Sequence, residues 1–224
     1  MLMLSPEFPW PSTTGGLARI AGILTQLSRH FDLTFISPRR SEQVLPSEVT
    51  ARFICPTLAD PGLMKKAFAL LDSSRPFHGA LYWRKEIADA VRRELAERPY
   101  DVVYSHFIYG EPYLRDCKAP VIVDQQNVDR VYWGNKAAHS RFPIDRFAAW
   151  NMWRTIAFET RFLPRIWAYV SVSEEDRQQT RAYAENYVKH FWVAPNGVDT
   201  RHFTPSAQSS RAPDTMKPPN GPAW

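Results

Sequence analysis

The residues best suited to chemistry fall just after short apolar runs. Gly15-Gly16 closes the segment that follows MLML, His106 ends YDVVYSH, and Asp124 to Asn127 ends APVIVDQQN. Ser173 ends YVSVS, and Asn196-Gly197 follows FWVAP. Paired glycines at the start of a helix let backbone approach a ligand and leave amide N–H groups facing an anion. They fit a plain tight turn equally well. An imidazole titrates near neutrality, which suits His106 to proton transfer or to steadying developing charge. A lone histidine is also, more often, a structural hydrogen-bonder. Asp124, Asn127 and Asp129 form a short polar cluster, but no second histidine or cysteine stands at metal-ligand spacing, so no metal is expected. There is no GxGxxG, no Gly-Lys-Ser/Thr, and no acid ending the second strand at Ile36-Ser37. Those absences argue against a dinucleotide or P-loop site.

These residues need a scaffold that gathers strand ends. Apolar runs predict strands at 1–4, 33–36, 52–54, near 100–106, near 119–124, at 169–172 and at 191–193. Leu17, Ile20, Ala21, Leu24, Leu27 and Phe31 recur at helical spacing and predict one buried stripe. Further helices are expected at 64–71, at 80–96 with Ile87, Ala88, Val91 and Leu95 on one face, and at 141–163. Another should begin after Ser173, where Glu174, Glu175 and Asp176 suit the positive end of the helix dipole. Strands alternating with helices predict an α/β fold: a doubly wound, mostly parallel, Rossmann-like sheet of about seven strands. In such sheets ligands bind beyond the carboxyl ends of the strands, so the polar residues above should share one rim. Residues 1–205 form that domain, and the Pro/Ser-rich 206–224 is expected to be a linker-like or disordered tail.

The chain has 224 residues, 44% hydrophobic and 13% aromatic, enough for a real core, and a net charge of +5, too modest for a nucleic-acid binder. Its two cysteines, Cys55 and Cys117, are expected as free thiols in a reducing compartment. No apolar run of about eighteen residues occurs and the opening does not resemble a signal peptide, which places the chain in the cytoplasm. Residues 141–166 interleave Arg141, Arg146, Arg154, Arg161 and Arg165 with Trp150, Trp153, Phe158 and Phe162. The simplest expectation is an aromatic core face with a solvated arginine face. The alternative is a basic amphipathic surface docked on the inner face of an anionic membrane.

Five segments in order, SPEFPWPSTTGGLARIAGILTQLSRHFDLTFISP, YDVVYSHF, VIVDQQNVDRVYW, YVSVSEEDRQQTRAY and VAPNGVDTRHFTP, resemble the motifs of family 4 glycosyltransferases across about residues 1–205. The resemblance implies a GT-B architecture, two Rossmann-like domains facing across a cleft, of which this chain carries the N-terminal, acceptor-side half. It implies retaining, metal-independent transfer from a nucleotide sugar to a glycan or lipid-linked acceptor, without a cofactor, in a setting such as bacterial polysaccharide assembly. Gly15 and Gly16 would lie near the donor phosphates, His106 against the transferred sugar, and Asn127 on the acceptor side. Ser173, Asn196 and Gly197 would complete the rim. The family usually has histidine where Gln126 stands and glutamate where Asp129 stands. Its paired glutamates and its diphosphate-gripping Arg/Lys pair are not found after Phe203. A donor-domain partner chain is therefore an expected partner, and a non-catalytic acceptor-binding module or an inactive truncated product is the alternative. With that half missing, His106, Asn127, Phe8 and Trp10 are expected to lie uncovered and to favour association.

Overall fold

Strands that are apolar at every position, rather than at alternate ones, can be satisfied only in a sheet covered on both faces. The computed structural model describes residues 1–58 and 62–198. It contains strands β1 (Leu2–Leu4), β2 (Thr34–Ile36), β3 (Arg52–Ile54), β4 (Val103–His106), β5 (Val121–Gln125), β6 (Ile166–Ser171) and β7 (His190–Val193). They form one sheet in the order β3-β2-β1-β4-β5-β6-β7, with every neighbouring pair parallel. The helices are α1 (Gly15–Leu27), α2 (Leu63–Leu71), α3 (Phe77–Tyr82), α4 (Lys85–Glu97), α5 (Asp129–His139), α6 (Ile144–Phe162) and α7 (Glu174–Ala184).

Successive strand residues point to opposite faces, and the two cores divide accordingly. Leu2, Leu4, Val103 and Tyr169 join one cluster with Val91 of α4 and Phe158 and Phe162 of α6. Met3, Tyr104 and Val170 join the other with Ile20 and Leu24 of α1. Leu24 is fully buried. Truncating such a leucine to alanine costs about 2–5 kcal/mol, so the apolar stripe is what fixes α1 on the sheet.

The sheet, its parallel sense and the strand positions agree with the sequence reading. Several local expectations do not. The helix expected over 80–96 is two helices, broken at Trp83 and Arg84, both extended. Tyr113 accounts for the break: its hydroxyl accepts the Arg84 amide N–H at 2.8 Å. Phe31 is 48% exposed because α1 ends at Leu27, before its turn of the stripe is reached. Helix α5 was not foreseen. On α6 the expected faces are exchanged in part: Arg154 is buried and Trp153 is 60% exposed. The Arg154 guanidinium donates to the backbone carbonyls of Ala69 and Asp72 and lies over the Trp150 ring, which compensates its burial. Asp199, Arg201, Phe203 and the tail lie outside the described residues. No helix among the described residues is long and apolar enough to cross a membrane.

Candidate functional site

His106 and Asp124 are the last paired residues of β4 and β5. Both are fully buried, so neither His106 nor Phe8 lies uncovered as expected; Phe8 is covered by edge-on contact with Trp10, which in turn packs on Phe53. Nδ1 of His106 stands 3.0 Å from Oδ2 of Asp124, within ion-pair distance but off the line of an aligned hydrogen bond. Nε2 of His106 has no hydrogen-bond partner among the described residues. The imidazole thus lies beside the carboxylate with both ring nitrogens shielded from solvent and unsatisfied among the described residues.

Asp124 receives a second partner from α1. Arg19 places Nη2 2.7 Å from Oδ1 and Nε 3.1 Å from Oδ2. Its Nη1 donates to the Ala194 carbonyl at 2.7 Å and to Oδ1 of Asn196 at 3.1 Å. One guanidinium thus joins α1, β5 and the segment after β7. Burial alone would raise the Asp124 pKa; His106 and Arg19 outweigh it and hold the carboxyl below its ordinary value. Asp124 is anionic at neutral pH, and a buried pair of this kind fixes geometry more than it adds net stability.

The residue after His106 is strained. Phe107 has φ 63° and ψ 151°, a region that side chains other than glycine's rarely enter. Its N–H donates to the Asp124 carbonyl at 2.9 Å and its carbonyl accepts from the Ser105 hydroxyl at 3.0 Å. Those bonds pin the turn that carries the chain away from the rim.

Gly15 and Gly16 are the first residues of α1, capped by Thr14, whose Oγ1 accepts from the Leu17 N–H. A side chain on Gly15 would meet open space. One on Gly16 would come within 2.7 Å of Gln126 Oε1, and Gln126 in turn donates from Nε2 to the Gly16 carbonyl at 3.4 Å. A side chain at Gly16 would press on the far end of the flexible Gln126 side chain, which would have to shift, whereas one at Gly15 meets nothing among the described residues. Asn127 is exposed. Ser173 caps α7, accepting from the Asp176 N–H at 3.0 Å and donating to Asp176 Oδ2 at 2.7 Å. Its hydroxyl is committed to the helix, and a capping role explains it without a ligand. Asn196 is tied to Arg19, and Gly197 is exposed with open space around it.

The Asp124, Asn127, Asp129 cluster does not converge. Asp129 is buried and accepts the Tyr109 hydroxyl. Burial pushes its carboxyl up to about 6, against that hydrogen bond. Behind it Glu159, paired with Arg130, is pushed up to about 7 by burial.

Arg19 is the central residue that motif reasoning passed over. Its signal was indirect: a charged residue between Leu17 and Ile20 on a helix whose neighbouring positions face the sheet, with a strand-end aspartate needing a cation.

No protein-family model and no curated protein matches the sequence. Among solved structures the chain is similar to a doubly substituted variant of Os79 from O. sativa in complex with UDP, at TM-score 0.52 and 12% identity, covering 85% of this chain and 51% of that one. It is similar to a ugt transferase from Siraitia grosvenorii in complex with UDP, at 0.50 and 12%, covering 88% and 51%. It is also similar to apo UGT2 of Phytolacca americana, at 0.50 and 13%, covering 88% and 52%. At these identities the likeness is one of fold, and this chain spans about half the length of each. Its Rossmann-like sheet corresponds to one domain of these GT-B glycosyltransferases.

Proposed function

We propose that this chain is the acceptor-side half of a nucleotide-sugar-dependent glycosyltransferase. The observation that carries the reading is the buried Arg19–Asp124–His106 unit, set at the carboxyl ends of the strands. Strand order changes direction between β1 and β4, which is where ligands seat in open α/β sheets. The fold likeness supports the coarser reading, and the order of sequence motifs supports its placement in family 4.

In this reading the donor diphosphate meets the N-terminus of α1, where Gly15 and Gly16 present amide N–H groups and the positive end of the helix dipole. His106, beside Asp124 at the end of β4, lies beneath the rim; movement of the side chains that cover it brings Nε2 to the transferred sugar, where it steadies charge as the leaving group departs. Arg19 keeps Asp124 anionic and so keeps the ring in place. Charge stabilisation in this scheme comes from helix termini and side chains, transfer is retaining, and Asn127 lies on the acceptor side. A donor-binding half, in the same polypeptide or in a partner chain, completes the cleft. Peripheral contact with an anionic membrane, through the exposed Trp153 face of α6, belongs to the same proposal.

The test is release of nucleotide diphosphate from UDP- and GDP-sugars with glycan acceptors, using the native protein with whatever supplies its donor half. His106→Ala is expected to lower turnover about a hundredfold, the scale of one preorganised stabilising group. Unchanged turnover in that variant would remove His106 from the chemistry. No release from any nucleotide sugar would remove the reading itself.

A further inference from the structure

One helix turns its apolar side outward. Leu63, Met64, Phe68 and Leu71 of α2 are each at least 65% exposed, and Ala69 is the only buried residue of the helix. Met64, Phe68 and Leu71 follow one another at four and three residues, a single stripe facing solvent where a surface helix ordinarily shows charge. We infer that α2, with the neighbouring stripe at the start of α6, docks this chain on an anionic lipid bilayer. Docking by α2 goes beyond the Trp153 contact suggested above and is independent of sugar transfer.

The helix is fixed in that attitude. Nine residues are too few for a stable helix in water, and Gly62 supplies no side-chain cap. Two cations hold it instead. Arg154 of α6, itself buried, donates from Nη2 to the carbonyls of Ala69 and Asp72 at the C-terminal end. Lys65 Nζ donates to the Trp83 carbonyl at 2.7 Å. Both bonds tie down the inner side and leave the apolar stripe outside.

Arg154 also joins α2 to a second patch. Trp150 lies over its guanidinium, and Trp153 and Arg146 share the stripe of Trp150, at three and four residues from it. Trp153 is exposed, and so is Phe142 just before the helix. Tryptophan suits the boundary between headgroups and acyl chains, and the apolar face of a helix sinks about 5–10 Å into it.

Charge identifies the partner. Lys66, Arg141 and Arg146 are exposed and have no ion-pair partner among the described residues. Helix α2 contains no carboxylate. On α6, Glu159 is fully buried against Arg130, and Asp145 is partly buried. Asp72, just past α2, is taken up by Ser74 and Arg75. The apolar stripes are therefore flanked by cations with no fully exposed carboxylate on either helix, which fits a leaflet of anionic headgroups. A second copy of the chain seated there would set cations against cations.

Flotation of the full chain with vesicles tests this, using phosphatidylcholine alone and phosphatidylcholine mixed with phosphatidylglycerol. Binding to the mixed vesicles is expected, with little to phosphatidylcholine alone and with partial release as salt rises. Met64→Gln with Phe68→Gln should weaken it about tenfold or more, the worth of burying one large apolar side chain. Lys66→Gln with Arg146→Gln should weaken it about fivefold per cation. All four side chains are exposed, so both variants are expected to keep the melting temperature of the parent chain. No binding to the mixed vesicles would overturn the inference, and equal binding to both kinds would overturn the anionic partner. Full binding by the Met64 and Phe68 variant would overturn the role of α2. Self-association that this variant abolishes, in a chain that ignores vesicles, would give the face to a second copy instead. The glycosyltransferase reading stands or falls separately, on nucleotide release.

Discussion

Nδ1 of His106 lies 3.0 Å from Oδ2 of Asp124 at the last rung between two parallel strands, and both side chains are fully buried. A carboxylate in that position survives only because Arg19 shares it. Asp124→Asn leaves Arg19 buried without its counter-charge and is expected to cost about 3–5 kcal/mol by urea unfolding at pH 7. Arg19→Met combined with Asp124→Leu should recover much of that loss, since an apolar pair replaces a desolvated ionic one. Additive losses in the double variant would show that the two residues are not coupled. The sign with pH follows from the lowered folded-state pKa of Asp124. Its contribution is present above the unfolded value, about 3.9, and is lost as pH falls through the folded value.

Phe107 supplies a cleaner backbone test. Phe107→Ala and Phe107→Gly both lose the ring that stacks on Tyr109. Only glycine adopts φ 63° freely. The glycine variant is expected to be the more stable of the two by about 1 kcal/mol, opposite to the usual order, in matched urea titrations. An alanine variant that is the more stable would show that the turn relaxes.

The two glycines of α1 should part company. Gly15→Ala meets no neighbour and is expected to raise stability by about 0.5 kcal/mol through the unfolded chain. Gly16→Ala must displace the tip of the flexible Gln126 side chain and its weak bond to the Gly16 carbonyl, so it should gain less stability than Gly15→Ala, with Gln126→Ala in the same chain removing the difference. Thermal melts decide both. Lowered turnover in Gly15→Ala without lowered stability would mark that backbone as a ligand contact.

Asp129, raised to about 6, and Glu159, raised to about 7, act on stability in the opposite sense to Asp124. A carboxyl with a raised folded-state pKa contributes most below its unfolded value, near pH 4, and loses that contribution as pH rises through the folded value. Between about pH 4.5 and 7.5 they are expected together to lower stability by about 5 kcal/mol, at about 1.4 kcal/mol per unit of raised pKa. Asp129→Asn with Glu159→Gln should flatten that slope in denaturant midpoints measured at both pH values. An unchanged slope would assign it to other groups.

The sheet was legible because its strands are short apolar runs bounded by proline and polar residues, as at Leu2–Leu4 and Val121–Gln125. Ser173 could be read as a helix start because three acids follow it. The break at Arg84 could not, since it depends on the hydroxyl of Tyr113, distant in sequence. Helix α5 was hidden because Asp129 and Trp133 face the interior beside exposed Val131 and Tyr132, which blurs any stripe. Of the site, the strand-end positions of His106 and Asp124 were visible in advance. Their joining through Arg19 was not, because a charge within an apolar helical stripe gives no hint of which strand it will meet.

Arg19 also sets an order of events in time. Its carboxylate partner lies 105 residues later, and its carbonyl acceptor at Ala194 lies 175 residues later. At about 5–20 residues per second, a ribosome needs on the order of ten seconds to deliver the first and longer for the second. Through that interval α1 has an apolar stripe ready to pack and a guanidinium with nothing to meet. The N-terminal helix therefore cannot settle fully until nearly the whole domain has emerged, so the nascent chain spends its longest exposed period with its future site half assembled. Chaperone occupancy during synthesis should peak there.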